Sequence, residues 1–296
     1  MVTAKNYAAQ AANGLVWFCD YLSFLGHPED AASVFATIKT INESVKFCIE
    51  DNGRIFNDGL KALKGNRINL PFKKTCIEYY HHNTTGQKDY VIEEGHSVER
   101  MSEVVLICAD IEEVIATVPS DISDSIVISM VLFFEKDKRW QLAEHGICVK
   151  KDYFIDGIGL QSFTSIPGYK KQCDEKFGRT NVEDLTSSVP YLKSAFEFLE
   201  ALSCRNVEQS IYQQASPKNE QRLKSHKLPI YETKFLTIKQ TVKEYSKNGI
   251  VTYHASPRQH LRRGHIRRIE SGNIWVNSCV VGDSSKGVIE KQYKVN

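Results

Sequence analysis

Apolar residues recur at helical spacing from Thr3 to Leu25, through Tyr7, Ala11, Leu15, Phe18, Leu22 and Leu25, until Gly26-His27-Pro28 stops the run. Pro28 opens a second pattern, Val34, Phe35, Ile38, Ile41, Val45 and Ile49, which ends at Asp51-Asn52-Gly53. The two segments predict an antiparallel helical pair. Its apolar faces need a cover, and the middle of the chain supplies runs rich in β-branched and aromatic residues: Thr75 to Tyr80, Val104 to Cys108, Ile126 to Phe134 and Trp140 to Val149. These predict strands. Glu135-Lys136-Asp137-Lys138 lies between two of them and reads as a hairpin turn, which makes at least part of the sheet antiparallel.

Beyond the glycine-containing stretch Asp156-Gly157-Ile158-Gly159, a further helix is expected from about Val182 to Cys204, with Tyr191, Ala195, Phe198, Leu199 and Leu202 on its apolar side and Pro190 near its first turn. Gln213 to Pro229 is polar and basic, contains two prolines and shows no periodicity, which marks it as a linker. The expected fold class is therefore α+β: an N-terminal helical pair on a mostly antiparallel sheet, a further long helix and a basic C-terminal β-hairpin. Residues 1–212 are expected to form the body, 213–229 the linker and 230–296 a basic β-rich region.

Composition narrows the function classes. With 296 residues, 42% hydrophobic and 25% charged, the chain is neither disordered nor fibrous. Its longest apolar run, Ile126 to Phe134, has nine residues, whereas a bilayer-spanning helix needs about 20. The N-terminal run lacks the continuous apolar block of a secretory signal, and the expected location is the cytoplasm, away from any membrane. Eight cysteines are scattered through apolar segments without a Cys-x-x-Cys, which predicts reduced core thiols and argues against a zinc ribbon or a dithiol redox pair.

The net charge of +2 conceals a split. The first 215 residues carry 22 Lys and Arg against 30 Asp and Glu, and the last 81 carry 16 against 6. The basic end is thus expected to meet something acidic: nucleic acid, an acidic peptide or the chain's own body. The strongest concentration is His254-Ala255-Ser256-Pro257-Arg258-Gln259-His260-Leu261-Arg262-Arg263-Gly264-His265-Ile266-Arg267-Arg268, five arginines and three histidines in fifteen residues without one acid. Ser271-Gly272-Asn273 and the strand-like run Ile274 to Val281 follow, so the whole reads as a hairpin with a cationic arm. Strand alternation puts Arg263, His265 and Arg267 on one face and His260 and Arg262 on the other, unless a bulge at Gly264 reunites them.

Such a segment suits several chemistries. Metal binding by His254, His260 and His265 is opposed by the neighbouring arginines and by the lack of a carboxylate. Ribonuclease-type acid–base catalysis would use two histidines with arginines around a phosphorane-like transition state, and the residue types fit. Recognition demands the least coincidence: arginine forks grip phosphates or carboxylates, and histidine and Trp275 stack on bases or cap carbonyls. Pairing of Arg262 and Arg267 with the acidic body is the remaining alternative. Phosphate loops, nucleophile elbows, zincin helices and kinase motifs are absent from the sequence. His81-His82 reads as the end of a strand.

The tail Arg258-x-His260-x-Arg262-Arg263-Gly264-His265, followed by a turn and a Trp275-containing strand ending Val276-Asn277-Ser278, resembles the C-terminal signature of a phage-encoded type V-A anti-CRISPR family that blocks biogenesis of the nuclease effector. Upstream the likeness is architectural, in Leu70-Pro71 before a strand, the hydrophobic run Ile126 to Phe134, and Pro190-Tyr191-Leu192 in a long helix. Gln259 stands where that family often has proline, and Arg267-Arg268 replace a histidine and aromatic residues. The resemblance implies an α/β scaffold without catalytic machinery or cofactor. On this reading the chain is a counter-defence protein that engages a host polypeptide, including a nuclease still nascent on the ribosome, and lowers its production. Arg258, His260, Arg262, Arg263, His265, Arg267 and Trp275 are the implied partner-binding residues, and Gly264 serves backbone geometry. The alternative is an RNA-binding protein or ribonuclease that uses the same segment.

Overall fold

The computed structural model of the chain describes residues 6–55, 67–82, 101–114, 123–135, 137–177, 189–238, 258–262, 265–270, 272–276, 279–281 and 283–288. Helix α1 (Tyr7–Phe24) buries Ala8, Ala11, Ala12, Leu15, Phe18 and Leu22, the stripe that its periodicity predicts. Helix α2 (Pro28–Glu43) begins with Pro28 at its first position and buries Ala31, Val34, Ile38 and Ile41. The expected second helix is shorter than the pattern suggested. Ser44 is extended, and Val45–Cys48 forms strand β1. Val45, Phe47 and Ile49 alternate onto one face of the sheet, so period two overrides the helical spacing there. Phe35, assigned above to the buried stripe, is 65% exposed.

Lys46, on the other face of β1, is buried, and its ammonium donates to the carbonyls of Asn42 (2.9 Å) and Ser44 (2.7 Å) at the end of α2. It also lies 4.2 Å from the centre of the Tyr231 ring. A cation is well placed at a helix C-terminus, although burial lowers its affinity for the proton.

The remaining strands follow the aromatic and β-branched runs: β2 (Lys74–Tyr80), β3 (Met101–Asp110), β4 (Ser125–Phe134), β5 (Arg139–Leu142) and β6 (His145–Lys150). The single run expected from Trp140 to Val149 is broken at Ala143-Glu144, where the chain pairs first with one end of β4 and then with the other. A four-residue helix α3 (Tyr153–Asp156), strand β7 (Leu160–Thr164) and helix α4 (Pro167–Phe177) precede α5 (Val189–Leu202). Helix α5 is the described part of the long helix expected from Val182, and positions 182–188 lie outside the described residues. Strand β8 (Val207–Gln213), helix α6 (Asn219–Lys224) and strand β9 (Thr233–Ile238) complete the body.

Nine described strands form one mixed sheet in the order β7-β6-β4-β3-β2-β1-β9-β8, with β5 beside β4 in line with β6. Strand β1 is parallel to both β2 and β9, and the other pairs are antiparallel. Helices α1 and α2 cover one face over Cys76, Val105, Ile107, Val131 and Trp140. Helix α5 covers the other through Tyr191, Ala195, Phe196, Phe198 and Leu199. The approach of α1 is close enough that a Cβ on Gly14 would sit 2.8 Å from the Trp140 ring. The segment 213–229, expected to be a linker, carries α6 and closes on itself: the Asn219 side chain bonds both the N–H and the C=O of Ile230 at 2.9 Å, and Arg222 donates to the Leu228 carbonyl at 2.9 Å. It connects two neighbouring strands of the one sheet, since β8 pairs with β9 and β9 with β1.

The C-terminal strands are β10 (Arg258–Arg262), β11 (His265–Ile269), β12 (Gly272–Val276), β13 (Cys279–Val281) and β14 (Asp283–Val288). The expected basic hairpin is present as the antiparallel pair β11–β12. Strand β10 lies between β13, antiparallel, and β14, parallel. Cys76 and Cys108 are fully buried, and burial pushes both thiols up to about 12, which fits core residues rather than nucleophiles.

Glu78, 1% exposed on β2, accepts the Ala8 N–H at 3.0 Å and so caps the N-terminus of α1. Burial pushes its carboxyl up to about 6, against the pull of the helix N–H groups. The folded state therefore takes up this proton before the unfolded chain does, and the contribution favours folding below the unfolded value and is lost as pH rises through about 6. Glu78→Gln keeps an acceptor without the charge. The variant is expected to gain about 2 kcal/mol on the wild type between pH 4.5 and pH 7, measured by urea unfolding at both; a relative loss over that interval would contradict the assignment.

Candidate partner-binding site

The hairpin β11–β12 pairs His265 with Val276, Ile266 with Trp275, Arg267 with Ile274, Arg268 with Asn273 and Ile269 with Gly272. Strand alternation then sorts the ribbon into two faces. Positions 265, 267 and 269 share one with Ile274, and Ile266, Arg268, Asn273 and Trp275 share the other. Arg267, Arg268, Ile269 and Glu270 are exposed, whereas Ile266, Ile274, Trp275 and Val276 are half-buried. Gly272 has φ 120°, and a Cβ on it would lie 3.2 Å from Arg205 Cδ, so both the turn and the close passage of the body favour glycine.

The hairpin is fastened to the residues that follow α5. Cys204 and Asn273 form a parallel bridge, and the Arg205 N–H donates to the Asn273 carbonyl at 2.9 Å. Asn206, 7% exposed, completes the joint: its amide N–H donates to the Trp275 carbonyl and its amide oxygen accepts the Trp275 N–H, both at 2.7 Å. One side-chain amide thus imitates a strand edge. The negative end of the α5 dipole lies next to this joint, a favourable neighbour for a basic ribbon.

Several acids of the body pair with cations of the body itself. Lys74 pairs with Glu43 at 2.7 Å, Lys73 with Glu113 at 2.9 Å, Lys151 with Asp110 at 2.8 Å, and Arg67 with Asp124 at 2.6 Å and Asp152 at 3.0 Å. Hydrogen bonding to the Arg67 guanidinium holds the Asp124 carboxyl below the ordinary range, and Lys73 does the same for Glu113. These pairs bind one end of the sheet together.

The residues singled out in the sequence are divided between two small sheets. Arg258, His260 and Arg262 occupy alternate positions of β10, opposite Asp283, Val281 and Cys279 respectively. His265 and Arg267 share a face of β11, and Trp275 stands on the partner strand, on the face that carries Arg268. Arg263 and Gly264, and with them the expected bulge, lie outside the described residues, as does His254. The arginines therefore do not line one strand. Arg205 and Asn206, which position the ribbon, carry no signature in the sequence: a polar pair after a helix reads as an ordinary exit turn.

His81 and His82 follow the end of β2, as expected of a strand end. His82 Nε2 lies 2.7 Å from Asp51 Oδ2, a pairing across 31 residues that spacing alone does not reveal, and the main-chain N–H of His82 donates to Asn52 Oδ1 at 2.8 Å. Among the described residues no group of three or more His, Cys, Asp or Glu is placed to hold a metal ion. No described helix is long and apolar enough to cross a membrane. Compared with models of protein families, with curated proteins and with solved structures, the chain matches none.

Asn206→Ala removes two partly buried hydrogen bonds at the joint, at a cost of roughly 1–3 kcal/mol confined to the hairpin. Trypsin is expected to cut after Arg267 and Arg268 at least tenfold faster in this variant, with the body fragment intact on a gel; an unchanged rate would show that the joint does not hold the ribbon.

Proposed function

We propose that this chain is a non-catalytic recognition protein of a phage or mobile element that acts in the host cytoplasm, binds a host defence polypeptide while it is nascent on the ribosome, and lowers its production. The observation that carries the reading is the exposed Arg267 on a ribbon fastened to the body through Asn206, beside a body in which Glu43, Asp110, Glu113, Asp124 and Asp152 pair with cations of the body itself. Guanidinium groups presented in this way suit carboxylates of a partner, because planar forks gain two-point contacts that a lysine lacks. The tail motif's resemblance to the type V-A anti-CRISPR family supplies the target class, an effector polypeptide of a bacterial defence system.

The test is affinity capture from cells that express a tagged chain, with the captured material identified by mass spectrometry. The wild type is expected to recover a discrete defence polypeptide together with ribosomes, and the combined variant Arg262→Glu, Arg267→Glu to lose both while keeping its melting temperature. Recovery of neither by the wild type, or equal recovery by the variant, overturns the proposal. Salt dependence separates it from RNA binding: five arginines on duplex phosphates would lower affinity about 500-fold between 50 and 200 mM salt, whereas capture of a polypeptide is expected to weaken by less than tenfold. A steep dependence, or cleavage of labelled RNA by purified protein, would favour the RNA reading.

A further inference from the structure

Helix α1 lies on the outside of the sheet, yet among its 18 residues Asp20 alone is charged, whereas the 16 residues of α2 hold Glu29, Asp30, Lys39 and Glu43. A helix on a protein surface ordinarily turns charged residues to solvent. At about 100° per residue, Asn13, Val16, Trp17, Asp20 and Phe24 fall within one outward arc of α1. All five are exposed, Val16 to 50%, Trp17 to 38% and Phe24 to 86%. Trp17 is held in place: the Arg139 guanidinium lies 3.9 Å from its ring centre, and Tyr21 stacks on it at 5.1 Å. Phe35 of α2, 65% exposed, extends the same surface. The Ala31 carbonyl accepts Cys19 Sγ at 3.4 Å, and the antiparallel run of the two helices then brings Phe35, one turn on from Ala31, beside Val16, one turn back from Cys19.

We propose that this face is a two-fold interface with a second copy of the chain, in which the two α1 helices pack antiparallel with the axis between Val16 and Trp17. That register is self-complementary. Val16 meets the partner's Trp17, and Asn13 meets the partner's Asp20, so amide N–H donors face the carboxylate and no like charges oppose each other within the arc. The two Phe35 side chains approach each other near the axis. The exposed parts of the four apolar side chains amount to roughly 450 Å² per copy, and with the polar rim two copies remove about 1,000 Å² from water, the lower end of specific interfaces. A dimer of this size is weak, with a dissociation constant on the order of 10 μM. A lipid surface would meet an acid and neither lysine nor arginine within the arc, and a strongly charged partner would find one carboxylate to recognise, so a nearly neutral, self-matching surface is the occupant that fits. The inference goes beyond the recognition reading and does not depend on it.

Sedimentation equilibrium of the full chain, from about 1 to about 200 μM, provides the test. The wild type is expected to rise from the 33.7 kDa of one chain toward twice that mass. Val16→Glu sets a charge against the partner's Trp17 and is expected to keep the single-chain mass throughout, with the wild-type melting temperature at the lowest concentration because the position is half exposed. Asn13 reports the register. Asn13→Lys creates two ion pairs across the axis with the Asp20 carboxylates and is expected to tighten the dimer at least threefold at low salt, whereas Asn13→Asp opposes like charges and is expected to weaken it by about as much. A wild type that keeps the single-chain mass at the highest concentration overturns the proposal and leaves the face to a different protein. A dimer that Val16→Glu leaves intact also overturns it, as does one whose strength the two Asn13 variants fail to move in opposite directions.

Discussion

A carboxylate withdrawn from water is costly unless donors reach it, and among the described residues Glu78, Asp30 and Glu197 draw donors from distant elements. Glu78 meets the first turn of α1, Asp30 the N–H groups of Gly168 (3.3 Å) and Tyr169 (2.6 Å) at the start of α4, and Glu197 the N–H of Ile55 (2.8 Å) and the Arg54 guanidinium (3.0 Å). Each carboxylate fixes the position of an element that apolar packing alone would leave free to slide. The hydrophobic layers supply the driving force for burial, which is non-directional, and the carboxylates supply the register.

The same logic explains the centre of the sheet. Strand β1 is only four residues long, yet it is parallel to a neighbour on each side and carries Lys46 into the interior. A lysine there is tolerable because the end of α2 presents carbonyl groups and Tyr231 presents a ring face. Tyr231 in turn lies just before β9, so one buried cation ties α2, β1 and the approach to β9 together. The hairpin depends on this indirectly, since β9 holds β8 in place and β8 begins where Asn206 grips the ribbon.

Much of this was legible in the order of residues. The stripe of α1, the strands β2 to β4 and the turn after β4 follow from periodicity, because both faces of the sheet are buried and the patterns are undiluted. Val45 to Ile49 misled because a buried strand that follows a helix continues its apolar spacing for one more turn. Residues 213–229 read as a linker because their order comes from Asn219 and Arg222 bonding to main chain, and such bonds leave no hydrophobic trace. The hairpin was visible in Gly272 and in the alternating run that follows it. Its fastening was not, because Asn206 acts through geometry and its contact lies 69 residues away.

Strand β1 is made early in synthesis, yet one of its two neighbours, β9, arrives only when the chain has reached Thr233. Until then that flank of β1 has unfilled main-chain valences at what will become the middle of the molecule. Parallel pairings between remote segments close slowly, since the loop entropy is lost before any contact is gained. An early fragment of this chain is consequently an unfinished sheet with a sticky margin, and truncation upstream of β9 yields a product prone to precipitate rather than a smaller working domain.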